Sequence, residues 1–311
     1  MKRMVSGVLL LDKPLGLSSN LALQQVRRLY SAAKAGHTGT LDPLATGLLP
    51  VCFGEATKFS HALLDADKTY QATIKLGVTT TTGDAEGEVT AQSPVAVSPQ
   101  QMVAVLACFS GVIEQMPPMH SALKHQGRPL YAYARAGVAV ERTARQVTVH
   151  DLHCDSFAGD LLGITVRVSK GTYIRVLADD IGAALGCGGY LLALRRTAID
   201  GLRVDDAVTL EHLKNLDVGE RDRLLAPCDS LLGEMPECIL DEASAVRLQQ
   251  GLNVPVPVQD GLVRLYAPQR RFLGLGVARA GTVAPKRLLA AGDGRGQMQE
   301  LLEETARSRV E

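Results

Sequence analysis

One stretch of twelve residues constrains this chain most: Gly36-His37-Thr38-Gly39-Thr40-Leu41-Asp42-Pro43-Leu44-Ala45-Thr46-Gly47. Three glycines free its backbone, and Pro43 holds Asp42 in an extended conformation. The composition predicts a loop between two regular elements. Ahead of it, Ser18 or Ser19 caps a helix reaching about Tyr30, with Leu21, Leu23, Val26 and Leu29 mostly on one side. Behind it, Leu48–Phe53 reads as an apolar strand. Loops held by a rigid scaffold often carry function. No charge follows Asp42 until Glu55, so its carboxylate is a candidate nucleophile or general base in a partly desolvated place. The competing local reading is a plain Asx turn at Asp42-Pro43.

The remaining pattern predicts both strands and helices, without regular alternation. Val8–Leu11 is a strand ended by Asp12-Lys13-Pro14, and Tyr70, Ala72, Ile74 and Leu76 repeat with the period of a half-buried strand. Ser98-Pro99 opens a helix to about Phe109. Residues 146–149 and 161–169 read as strands, Ile174–Leu185 as a helix closed by Gly186, and Tyr190–Ile199 as a further strand. Several connections are hairpin-like. The fold class expected is α+β, a mainly antiparallel mixed sheet flanked by helices. Residues 115–145 carry Pro117, Pro118, Gly127, Pro129 and Gly137, with a short helix around Leu130–Ala136, and predict an insertion. A boundary near Pro236–Asp241 divides a first domain, 1–235, from a small C-terminal β-barrel domain, 236–311, whose last segment from Gly296 is a charged tail.

Composition narrows the class. The 311 residues are 46% hydrophobic and 21% charged, which suits a folded chain with a sizeable core. No apolar run reaches membrane-spanning length, and the N-terminal apolar run stops at Asp12, so neither membrane attachment nor a signal peptide is expected. Six scattered cysteines without a CxxC pair predict free thiols in the reducing cytoplasm. Net charge is zero but unevenly spread: +5 over residues 1–41, +4 over 115–150 and −8 over 200–242. The two basic stretches suit a polyanion, although charge runs are also commonly just solvated faces. Phosphate-loop, dinucleotide, nucleophile-elbow and HExxH motifs are missing, and His150, His153 and Cys154 lack a second ligand pair, so no cofactor and no metal are expected.

Longer motifs add what single residues leave open. GVLLLDKPLGLSSN with GHTGTLDPLATGLLPVCFGEATK resembles the signature of the TruB-type bacterial tRNA pseudouridine synthases, and SKGTYIR (169–175) and LRRTAI (194–199) resemble further motifs of that family in the same order. The likeness spans roughly residues 7–290. Its C-terminal part, with LVRLYA, FLGLGVA and VAPKRL, is similar to a PUA RNA-binding domain. The resemblance implies isomerisation of uridine 55 in the tRNA T-loop by base flipping, without a cofactor, in a protein expected to be a monomer with the T-arm as partner. It implies that Asp42 is catalytic and that His37 lies near the flipped nucleotide. Tyr70 is implied to stack on the target base and to take part in proton transfer. Tyr173 and Arg175 are implied on the substrate side, the arginine pairing with Asp42. Leu194 is implied to line the base pocket, and Lys13 and Pro14 to support the loop. Thr40 stands where the family also has alanine. Two other readings use the same residues: a non-catalytic RNA-binding or tRNA-folding chaperone, and a small-molecule lyase or hydrolase built on Asp42.

Overall fold

The computed structural model describes residues 2–121, 123–138, 140–233 and 235–290. The expected charged tail lies outside them. The principal strands are β1 (Gly7–Lys13), β2 (Ala45–Phe53), β3 (Lys68–Leu76), β4 (Gly111–Gln115), β5 (Arg145–Ala158), β6 (Leu161–Val168), β7 (Gly189–Ile199), β8 (Gly261–Ala267), β9 (Arg271–Arg279) and β10 (Thr282–Leu288). The longer helices are α1 (Ser19–Leu29), α2 (Pro99–Cys108), α3 (Ile174–Ala184) and α4 (Glu242–Gln249).

The first seven strands belong to one ten-stranded sheet, in the order Val208–Thr209, β1, β2, β7, β3, β6, β5, β4. Neighbours are antiparallel except at two places: Val208–Thr209 beside β1, and the short parallel run of Leu194, Arg195 and Arg196 against Ala45, Thr46 and Gly47. The sheet is therefore mixed and mainly antiparallel, as the irregular strand and helix order implies. Ala35–His37 adds to the far side of β2, leaving 38–44 as the connecting loop. The composition of 36–47 predicts a loop throughout, but strand pairing claims both of its ends.

Local sequence explains the helix starts. Ser18 caps α1, its hydroxyl accepting from the Leu21 amide. Ser98 and Gln101 form a reciprocal capping box on α2, with Pro99 in the first turn. Helix α1 packs Ala22, Leu23 and Val26 against Leu9, Leu11, Leu49, Val51 and Phe53. Helices α2 and α3 cover β3 and β6 through Met102, Leu106, Ile174, Leu177 and Ile181. Strand β5 runs to Ala158, well past the expected 146–149; its polar residues 150–158 are mostly exposed, and pairing with β6 rather than burial makes them a strand.

A second sheet runs Glu237–Ile239, β8, β9, β10, Val254–Pro255, curling into a half-barrel around a core that includes Ala245 and Leu248 of α4. Phe59, Leu232 and Leu275 join it to the rest of the chain, with Phe59 and Phe272 ring centroids 5.4 Å apart. None of the six cysteines forms a disulfide. Among the described residues no helix is long and apolar enough to cross a membrane.

Candidate active site

The Asp42 loop is staked down at several points. Ser19, the first residue of α1, is 1% exposed. Its hydroxyl donates to the Leu41 carbonyl (2.9 Å) and accepts from the Leu41 amide (2.7 Å), fixing both backbone polar groups of the residue before Asp42. The Asp42 carbonyl accepts from Ala45 N and the Pro43 carbonyl from Gly16 N. Gly47 has φ +99°, and a Cβ there would stand 2.2 Å from the Arg196 carbonyl oxygen, so this crossing of β2 and β7 requires glycine.

Beneath the loop lies a buried guanidinium. Arg196 is 1% exposed; its Nε donates to the Leu48 carbonyl (2.8 Å) and Nη2 to the Gly39 carbonyl (2.9 Å), spanning both ends of the loop. The Tyr70 side chain is close enough to offset part of the effect of burial on the arginine's charge. Burial lowers its basicity, and its charge, second to burial, holds His37 below the usual histidine value. The Nδ1 atom of His37 is buried without a hydrogen-bond partner.

Asp42 itself keeps its side chain 48% exposed, with Oδ2 3.2 Å from Arg175 Nη2. Arg175, in the first turn of α3, is 9% exposed at its side chain and reaches two further partners. Nη1 lies 3.3 Å from Asp84 Oδ2, and Nη2 donates to the His120 carbonyl at 2.8 Å. Asp84 is 2% exposed and accepts from Thr82 Oγ1 (2.5 Å) and the Glu86 amide (3.0 Å). The guanidinium is thus held in a fork of two carboxylates and a carbonyl, a setting that fixes its plane. Desolvation first, then Asp84 and Asp42, raise Glu86.

Lys13 is fully buried, donating to the carbonyls of Pro14 (2.9 Å) and Leu17 (2.6 Å). Burial brings it down to about 8 against the opposing pull of Asp42. Leu41 and Tyr70 share one buried cluster, with Leu44 and Leu194 packed against it. The backbone of Tyr173 caps α3, two residues from Arg175.

The structure therefore brings together Lys13, Asp42 and Arg175 by charge, Tyr70 and Leu194 by packing beside Leu41, and His37 and Tyr70 through Arg196. Pro14 enters through its carbonyl alone. Sequence reasoning missed Ser19, Asp84 and Arg196. The LRRTAI stretch held Arg196 in view, but nothing local says that the second arginine turns inward. Among the described residues no group of three or more His, Cys, Asp or Glu side chains forms a metal-binding cluster. His150 instead lies 3.1 Å from Asp67.

Comparison with known proteins covers the same span. Residues 27–174 match the TruB family pseudouridylate synthase (N terminal domain), 175–233 the tRNA pseudouridylate synthase B C-terminal domain, and 236–289 the Pseudouridine synthase II TruB, C-terminal model. The tRNA pseudouridine synthase B of Azoarcus sp. is 56% identical over 294 residues, 94% of this chain and 98% of that protein. That of Aromatoleum aromaticum is 56% identical over 291 residues, 93% of this chain and 94% of its own. In architecture, a chain of the archaeal box H/ACA sRNP Nop10-Cbf5 complex superposes with a TM-score of 0.70 at 24% identity, covering 94% of this chain and 88% of that one. With identity this high over nearly the whole length, the chain belongs to the TruB family of pseudouridylate synthases.

Proposed function

We propose that this protein converts uridine 55 of the tRNA T-loop to pseudouridine, with Asp42 as the catalytic group. The observation that carries the reading is the half-exposed Asp42 carboxylate, 3.2 Å from a guanidinium that Asp84 and the His120 carbonyl hold in place. The relatives named above are tRNA pseudouridine synthases B, which supports tRNA as the substrate class.

The reaction moves a base without gaining or losing atoms. The N1–C1′ bond breaks, uracil turns over, C5 bonds to C1′, C5 gives up its proton and N1 takes one. No electron acceptor is needed. Attack on C1′ and removal of the C2′ hydrogen both demand an ionised carboxylate beside the ribose, and a charge-assisted partner favours that form. Tyr70 offers a ring face to the everted base, a contact worth about 1–3 kcal/mol, and its hydroxyl is the candidate proton acceptor. Leu194 lines the same pocket, Tyr173 stands on the substrate side, and His37 fills the space left by the flipped nucleotide. Lys13 and Pro14 support the loop from below.

In this reading residues 1–235 form the catalytic unit and 236–311 an RNA-binding unit. The basic insertion, about 115–145, closes on the RNA. Asp42→Asn keeps the side-chain shape and removes the charge. It is expected to abolish pseudouridine formation on a T-arm stem-loop while leaving RNA affinity within about threefold, since no basic residue of the insertion is altered. Unchanged modification by the variant removes Asp42 from the mechanism.

A further inference from the structure

We propose that Gln115 is a positioning residue that sets Arg175 against Asp42, by fixing the start of α3 to the root of the insertion. The inference rests on the reading of Asp42 and Arg175 given above.

Gln115 is the last residue of β4, the edge strand of the large sheet, and is 2% exposed. On one side its backbone pairs with Arg145 of β5. On the other no strand follows, and its side chain takes that place. Oε1 accepts from the Tyr173 amide at 3.0 Å and Nε2 donates to the Tyr173 carbonyl at 3.3 Å. A single carboxamide therefore bonds both backbone groups of the residue that caps α3, much as a neighbouring strand would: it is the partner of the amide and a second partner of the carbonyl, which also accepts from the Leu177 amide. Arg175 follows two residues later, so the lateral position of its Cα is set by this pair of bonds.

The chain leaving Gln115 returns to the same arginine. Pro117 and Pro118 stiffen it by fixing φ, and the His120 carbonyl then accepts from Arg175 Nη2, the nitrogen nearest Asp42. Arg142, on the returning limb of the insertion, donates to the Pro117 carbonyl at 3.0 Å. Residues 115–120 thus hold the helix start at Tyr173 and the guanidinium at Nη2, a staple with both prongs on one side of the site. Movement of the insertion reaches Arg175 through this stiff link, while Gln115 keeps its near end still. Without the carboxamide, Tyr173 loses a donor and an acceptor, the first turn of α3 loosens, and the guanidinium drifts from the carboxylate.

The test uses the full-length protein with T-arm RNA in single-turnover assays. Gln115→Leu removes both bonds; Gln115→Glu keeps the acceptor for the Tyr173 amide and loses the donor, so it serves if the leucine variant fails to fold. The expected result is a fall of about 10- to 100-fold in the single-turnover rate, the scale of an ångström-sized misplacement, with RNA affinity within about threefold of wild type. A second readout needs no turnover: ¹⁵N spectra of arginine side chains, with Arg175 assigned from Arg175→Lys. The wild-type guanidinium is expected to show hindered rotation, and the Gln115 variants averaging. A full rate with a lowered melting temperature, or weakened RNA binding at full rate, overturns the proposal by making Gln115 merely structural or an RNA contact. Asp42→Asn run in parallel separates the two failures: if it stays active, the site reading is wrong; if it is dead while Gln115 variants run at full rate, only the staple is wrong.

Discussion

Lys13 shows how a single buried charge is held. Its ammonium donates to two carbonyls in a fully buried place, and burial disfavours the charged form, bringing the group down from 10.5 to about 8. The sign of the consequence follows from proton counting. Between those two values the unfolded chain holds a proton on Lys13 that the folded chain lacks, so stability rises with pH across that window. Urea unfolding of wild type and Lys13→Met from about pH 7 to about pH 11 is expected to give a stability difference that is constant below 8 and grows in favour of wild type above it. A difference that stays level throughout contradicts this account. At this scale glycine, proline and one isolated carboxylate are local signals that made Asp42 a candidate, but the family resemblance, not those signals, set it above a plain Asx turn. Arg196 and Asp84 were not legible, because their meaning comes from partners far along the chain: Arg196 bonds a carbonyl 148 positions away.

Elements were read well where their signals are local and poorly where they are not. Caps at Ser18 and Ser98 and the alternation from Tyr70 to Leu76 lie in the immediate sequence. The extra length of β5 and the strand character of Ala35–His37 come from neighbours, which no short window contains. The crossing of β2 and β7 is of the second kind. Gly47 is one of three glycines in the 36–47 stretch, yet only the parallel register with Arg196 makes it indispensable. Gly47→Ala is expected to cost about 3 kcal/mol or more, from the clash with the Arg196 carbonyl and an unfavourable positive φ. A shift in the urea midpoint measures it. Gly36→Ala, with open space around the added methyl and an ordinary φ, is the matched control and is expected to fall within about 0.5 kcal/mol of wild type.

At the scale of the whole molecule the two sheets are bound by more than a linker. Tyr266 donates to Asp229 at 2.7 Å, Lys58 to the Leu288 carbonyl at 2.9 Å, and the Ala290 amide to Glu55 at 2.6 Å. The neutral overall charge conceals local pairing as well: Arg3 of the basic N-terminal stretch is spent on Asp222 of the acidic one. The free positive charge of the N-terminal stretch is therefore smaller than its charge count suggests. Hydrogen exchange over residues 118–142 is expected to slow on adding T-arm RNA, as the flap closes; equal protection in both states counts against closure. The insertion leaves the sheet at Gln115 and rejoins it at Arg145, two residues that pair directly across neighbouring strands. In topological terms it is an overgrown hairpin at the outer margin of the fold, so its length and content can drift without unseating a single interior strand. In the reading proposed above, the part that closes on RNA is thereby separable from the part that does the chemistry, provided the foot planted on Tyr173 and Arg175 is retained.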